Sequence, residues 1–244
     1  MKLASAQTKP IRGDINSNLK EHYRLIEIAS DNGANLIVFP EMSISGYERV
    51  EAHKYAFLEN DSRLDKMRAF ASNKKIIIIA GAPIKIESDL FIGEFILFPD
   101  DKESIYTKQF LHTGEDQYFK SSFAYNPIIE IDKERISLAI CADIDHPVHA
   151  ENAGSKQSSI YIPSIFFSIN GISKAHESLK TYALKNKMNV LMSNFSGQSW
   201  GTYAGGRSAF WNNEGELVIE MNGTDSGLLV VEKNKEQWYG KIIN

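Results

Sequence analysis

The sequence predicts an α/β fold in which apolar sheets lie between layers of helix. Three observations carry this expectation. Strand-like and helix-like segments alternate from the first residues, several strand candidates are apolar on both faces, and no linker, repeat or low-complexity tract breaks the series. Together they predict one domain over residues 1–244 with roughly ten strands and four helices.

Leu3–Gln7 reads as a short strand. Asn16, Ser17 and Asn18 offer N-cap side chains, with Glu21 at capping-box spacing from Asn18. Leu19, Tyr23, Ile26 and Ala29 then recur at helical intervals until Asn32-Gly33 stops them. Leu36–Phe39 is an apolar run ended by Pro40, the pattern of a buried strand. A helix is predicted over Ser62–Asn73, with Leu64, Met67, Phe70 and Ala71 on one face. Strand signals follow at Ile76–Ala80, Phe91–Leu97, Ser104–Thr107, Ile128–Ile131 and Ile136–Cys141. Next come a helix-like stretch near Val148–Ala153, a strand at Ile160–Ile162, a longer helix over Ile172–Lys187 and a strand at Val190–Met192. The tail carries strands at Ser208–Trp211, Leu217–Glu220 and Leu228–Val231, with turn residues at Asn212–Gly215 and Asn222-Gly223.

Composition narrows the function. The chain has 27 basic and 31 acidic side chains, a formal charge of −4, 43% apolar and 24% charged residues. With no Lys/Arg block, it lacks the electrostatic footprint of a nucleic-acid partner. Met1–Gln7 lacks the ~7–15-residue apolar core of a secretory signal. No segment approaches the ~20 apolar residues of a membrane span. A cytoplasmic protein with no membrane partner is expected. The single cysteine, Cys141, excludes an internal disulfide framework and a zinc site built on several thiolates.

Functional side chains in α/β folds cluster at the carboxyl ends of strands. Glu41 follows the Leu36–Pro40 run, Lys108 follows Ile105–Thr107, and Cys141 ends the Ile136–Ile140 run. A base, a cation and a nucleophile so placed suit acyl transfer. Singly, each also has an ordinary structural reading: a loop acid, a surface lysine, an inert core thiol. His112, His146 and His149 raise the rival of papain-type Cys–His chemistry, but that arrangement sets its cysteine at a helix N-terminus, whereas Cys141 ends a strand. His146 and His149 lack a third ligand, so no metal is expected. His146 stays a candidate pocket residue.

The local strings shift the balance toward the functional readings. Leu36-Ile37-Val38-Phe39-Pro40-Glu41-Met42-Ser43-Ile44-Ser45-Gly46-Tyr47 resembles the first signature of the nitrilase superfamily of carbon–nitrogen hydrolases. Tyr106–His112 with Glu115 and Tyr118-Phe119 resembles the second, and Ile140–Ile144 with His146-Pro147 the third. All three stand in the family's order. Ala6-Gln7, Asn18, Tyr182-Ala183, Asn186, Val190, Asn194, Gly197, Gly206, Ser208 and Gly215 extend the likeness over essentially the whole chain. The resemblance implies a four-layer α-β-β-α sandwich, commonly a homodimer; the thiol mechanism requires no metal or organic cofactor. The resemblance also implies Glu41 as general base, Lys108 as electrophilic stabiliser, Cys141 as nucleophile, and Glu115 as a residue orienting Lys108 and substrate. The sequence departs from the family pattern at Ala142, Val148 and Tyr182, which touch pocket shape and packing.

The expected reaction is hydrolysis of a small linear amide or N-carbamoyl amine through an acyl thioester on Cys141, with release of ammonia. The Ala142 N–H, next to the nucleophile, is the natural second oxyanion donor. Tyr47, Tyr125, Phe166, Phe167 and Trp200 are candidate pocket walls, and Arg207 reads equally as a carboxylate binder or a surface ion pair. An acyltransferase and a non-catalytic scaffold of the same fold stay open.

Overall fold

Two mixed β-sheets stacked face to face, each carrying helices on its outer surface, make up the scaffold in a computed structural model that describes all 244 residues. In chain order the elements are β1 (Lys2–Gln7), α1 (Ile15–Asp31), β2 (Leu36–Val38), β3 (Phe57–Leu58), α2 (Asp65–Lys74), β4 (Ile77–Ile86), β5 (Asp89–Leu97), β6 (Glu103–Thr107), β7 (Ile129–Ile131) and β8 (Glu134–Ile140). They continue with α3 (Pro147–Ser155), β9 (Ile160–Ile165), α4 (Ile172–Asn186), β10 (Asn189–Asn194), β11 (Gln198–Ser199), β12 (Thr202–Tyr203), β13 (Ala209–Trp211), β14 (Leu217–Glu220), β15 (Gly227–Asn234) and β16 (Gln237–Ile243). One sheet has the order β16-β15-β1-β2-β4-β5-β6, with β3 beside β4, and the other β14-β13-β10-β9-β8-β7.

Successive side chains of a strand point to opposite faces, so a strand apolar on both faces feeds two cores. Leu3 of β1, Ile77 and Ile79 of β4, and Leu191 of β10 enter the core between the sheets. Their neighbours Ala4, Ala6, Ile78 and Ala80 pack with Leu25, Ile26 and Met67 of α1 and α2. On the other side Val190 and Met192 pack with Ile172, Leu179 and Ala183 of α4. Three apolar layers separate four structural ones: the fold is the expected α-β-β-α sandwich. Two hydroxyls stitch the sheets together, Ser5 Oγ donating to the Met192 carbonyl at 2.8 Å and Ser193 Oγ to the Ala6 carbonyl at 2.6 Å.

Several boundaries differ from the sequence reading. Asp14, rather than Asn16, Ser17 or Asn18, caps α1, its carboxylate accepting the Ser17 N–H at 3.0 Å. Asn18 is buried inside the helix, where its amide binds Ile11 and the Ile44 carbonyl and so ties two loops. Ser62–Leu64 is a 3₁₀ turn leading into α2. Strand β4 continues to Ile86, carrying Pro83 past the point where β2 ends at the Val38–Ile79 pair. Strand β16 has no counterpart in the sequence reading because Gln237–Ile243 has neither an apolar run nor clean alternation; it is an edge strand in which only Trp238 is buried.

The fold fixes the loop after β2 through close backbone approach. Ile44 N–H donates to the Gly81 carbonyl at 3.0 Å. A Cβ on Gly81 would stand 2.9 Å from the Pro40 carbonyl oxygen and 3.1 Å from the Glu41 carbonyl carbon. Overpacking of this kind costs about 1–3 kcal/mol. Gly81→Ala is expected to lower stability by that amount in urea unfolding; an unchanged midpoint would contradict the close approach.

Candidate active site

Three strand ends deliver three side chains to one place. Glu41 stands in the loop after β2, Lys108 directly follows β6, and Cys141 directly follows β8. Lys108 Nζ donates to Glu41 Oε1 at 2.8 Å and lies 2.9 Å from each oxygen of Glu115. Glu115 also accepts from Tyr47 Oη at 2.6 Å and from the His112 N–H at 2.7 Å. Glu41, Lys108 and Glu115 are each 0% exposed, so this is an ion cluster removed from water. Cys141 is 8% exposed and its thiol faces the Phe166 carbonyl, Sγ to O 3.8 Å.

The turn that presents Cys141 is held by one carboxylate. Cys141 adopts φ 44°, the left-handed region that side chains other than glycine rarely occupy. The 3₁₀ turn Cys141–Asp145 follows it. Asp143 Oδ2 accepts from the Ile140 N–H at 2.8 Å and from Tyr106 Oη at 2.7 Å. Its Oδ1 accepts from the Gln109 and Phe110 N–H groups at 3.0 and 2.8 Å. Of these four hydrogen bonds one braces the cysteine turn on its own strand and three lock it to the strand end that carries Lys108. Tyr182 Oη donates to the Ile144 carbonyl at 2.7 Å and anchors the turn to α4, so this departure from the family pattern has a packing role.

The electrostatics follow from burial and charge count. Burial pushes Glu41 up to about 7 against the pull of Lys108, while the Glu115 charge adds to the rise. Glu41 Oε2 has no hydrogen-bond partner, and the Cys141 thiol lies close enough to act on the carboxyl as a donor. Glu115 is held below the usual carboxylate range: burial works against ionisation, but Lys108, Tyr47 and the His112 N–H outweigh it. Burial works to discharge Lys108, and the carboxylates of Glu41 and Glu115 keep it protonated above the ordinary lysine range. Burial, then the Glu41 charge, raises the Cys141 thiol well above its usual value. Glu94 of β5 is a further buried carboxyl with no well-formed hydrogen bond, although Ser164 is near enough to offset part of its burial. Burial raises its pKa well above the usual range, and the charges of Asp143 and Glu41 add to the rise.

A cavity of about 350 Å³ opens above Cys141 and Glu115. Tyr47, Phe166, Phe167 and Trp200 line it, and the ring of Tyr47 lies 5.0 Å from Phe166 and 5.7 Å from Trp200. Other expectations are corrected. His146 is exposed and stacked on Phe110 at 4.0 Å, outside the cavity wall, because the turn after Cys141 carries it away. Ala142 is buried and its methyl does not line the cavity, which leaves only its backbone to act there. Tyr125 packs against Phe91, and Arg207 pairs with Glu220, both away from the cavity. His149 is buried between Tyr106 and Tyr161, 2.8 Å from each hydroxyl, where burial lowers its pKa. Sequence reasoning missed Arg49, Asp145, Ser168 and Thr202 on the wall, and the clamp made by Asp143. The positions of Asp143 beside the cysteine and Arg49 beside Tyr47 were the available signals.

The sequence profile of the carbon-nitrogen hydrolases matches residues 2–240. The chain belongs to that family. It is 26% identical over 239 residues to a glutamine-dependent NAD(+) synthetase of Aquifex aeolicus, covering 95% of this chain but 42% of that protein. It is 23% identical to an arylacetonitrilase of Aspergillus kawachii, with 98% and 85% covered. Among solved structures, an amidase from Nesterenkonia sp. AN1 superposes with a TM-score of 0.87 at 20% identity, covering 96% of this chain and 93% of that one. The chain thus spans less than half the length of the synthetase and nearly all of the amidase.

The resting thiol should be protonated. Far-ultraviolet thiolate absorbance, taken as the difference from Cys141→Ser, is expected to be absent up to about pH 9. A thiolate titrating near neutrality would contradict the assigned electrostatics.

Proposed function

We propose that the protein hydrolyses the carbon–nitrogen bond of a small linear amide or N-carbamoyl amine through an acyl thioester on Cys141. One observation carries this reading: the only thiol lines a cavity and lies within the field of a buried Glu41–Lys108 ion pair. The family membership supports the reaction class. An amidase of the same fold captured with butyramide, and synthetases described as glutamine-dependent, support an amide over a nitrile.

The residues act in sequence. Glu41 takes the thiol proton as sulfur attacks the carbonyl carbon, which solves the problem of a thiol too basic to ionise alone. The Lys108 ammonium and the Ala142 N–H receive the oxyanion in a site that excludes water, where fixed charge is most effective. Glu41 returns the proton to the departing nitrogen, and ammonia or the amine leaves behind the thioester. A water molecule then attacks the thioester, Glu41 accepts its proton, and the collapse releases the acid and restores the thiol. Glu115 holds Lys108 and Tyr47 in register and needs no proton of its own.

Ammonia release from a panel of short amides, carbamoyl amines and nitriles tests the assignment. Cys141→Ala is expected to abolish turnover, and Lys108→Ala to cost at least about 10²–10³-fold while leaving the fold intact. Wild-type kcat/KM should rise with pH through about 7, where Glu41 loses its proton. Glu41→Gln should remove that limb along with about 10²–10⁴-fold of the rate. Wild-type rates in either the Cys141 or the Lys108 variant would overturn these roles.

A further inference from the structure

The cavity wall holds a cation that the proposed chemistry does not use. Of the seven arginines in the chain, six pair with a carboxylate: Arg12, Arg24, Arg63, Arg68, Arg135 and Arg207. Arg49 pairs with none, and it lines the cavity. Its guanidinium is nevertheless held firmly. Nε donates to Tyr47 Oη at 2.8 Å and Nη1 to the Thr113 carbonyl at 3.0 Å. Its carbon lies 4.3 Å from the centroid of the Trp200 ring and 5.2 Å from that of Tyr47. These are its two hydrogen bonds; Nη2 makes none and is not buried.

A guanidinium costs side-chain freedom to immobilise, and its planar fork matches a carboxylate in two-point contact. In this wall it is immobilised by neutral partners, so its charge is unspent. The other cation of the site, Lys108, is neutralised by Glu41 and Glu115 and is 0% exposed. Asp145, an acid on the same wall, is exposed to water and does not pair with Arg49. The aromatic faces of Phe166, Phe167 and Trp200 suit a short methylene chain between the reacting end and the Arg49 end.

Resting on the hydrolase reading above, we propose that the substrate is a linear carboxamide whose far end is a carboxylate, received by Arg49 while the amide carbon lies at Cys141. Arg49 is then a specificity residue that touches substrate. A purely structural Arg49, which merely braced Tyr47 and through it Glu115, would affect charged and neutral amides alike.

The test compares the monoamides of succinate, glutarate and adipate with neutral straight-chain amides of matching length, by ammonia release with the wild-type protein. At least one monoamide should exceed its neutral counterpart in kcat/KM by about tenfold or more, as expected for a hydrogen-bonded charge pair. The preference should weaken as salt is raised. In Arg49→Gln the ratio should collapse toward one, whichever way the two absolute rates move, and Arg49→Lys should restore part of it. A wild-type ratio at or below one, or a ratio kept in Arg49→Gln, overturns the proposal while ammonia release leaves the hydrolase reading standing. No ammonia from either series, and no acyl group on Cys141, overturns both. Should Arg49→Gln fail to fold, the wild-type ratio and its salt dependence decide alone.

Discussion

A lysine fully withdrawn from water is the constraint around which this structure is arranged. Burying an ion costs several kcal/mol even after relaxation, and only close opposite charge and hydrogen bonds offset it. Lys108 finds both in Glu41 and Glu115. One cation cannot neutralise two carboxylates, so the pair must divide unequally. Glu115 has the Tyr47 hydroxyl and the His112 N–H in addition to Lys108, and it keeps its charge. Glu41 has Lys108 on one oxygen, no formed hydrogen bond on the other and only the nearby Cys141 thiol besides, and it is the one driven up to about 7. The imbalance of donors makes one acid a fixed anion and the other a group poised to exchange a proton. Beside it the Cys141 thiol is itself pushed up, by burial and then by the Glu41 charge.

Backbone geometry holds the cluster. The cysteine sits at a left-handed φ that costs energy, and the four hydrogen bonds of Asp143 over-determine its turn. Three of these bonds, to Tyr106, Gln109 and Phe110, tie the end of β8 to the end of β6, and so the Cys141 turn to the segment carrying Lys108. Gly81 does the corresponding service for Glu41 by letting the loop after β2 lie against β4. Three separate strand ends are thus held in place by backbone contacts and one carboxylate, which positions Glu41, Lys108 and Cys141 in advance.

The layers were legible in the sequence because their signal is local. Runs such as Ile76–Ala80 and Leu36–Phe39 announce strands buried on both faces, and those are the strands that feed two cores. The edge strand β16 was not legible, since a strand with one buried side chain carries almost no pattern. Asn18 reads as a cap because cap chemistry and loop-tying chemistry use the same amide. In the site, Glu41, Lys108, Cys141 and Glu115 stand out through their motifs, whereas the partners that tune them are set by contacts across long stretches of chain. Tyr47 meets Glu115 and Asp143 meets Gln109 and Phe110 only in three dimensions. The same limit explains the arginines: Arg207 and Arg49 look alike in the sequence, and only folding gives Glu220 to the first and the cavity to the second. His146, just past the cysteine turn, is carried outward onto Phe110 by a geometry that spacing does not encode.

The central claim is that Cys141 forms the covalent intermediate with its proton taken by Glu41. Rapid acid quenching during the first turnover of an amide, with hydroxylamine as a parallel trap, measures this most directly. Peptide mass mapping should find the acyl mass on the peptide containing Cys141, rising with the first ammonia and decaying as acid appears, and the trap should divert it to a hydroxamate. Ammonia release with neither an adduct on Cys141 nor a hydroxamate would contradict the account.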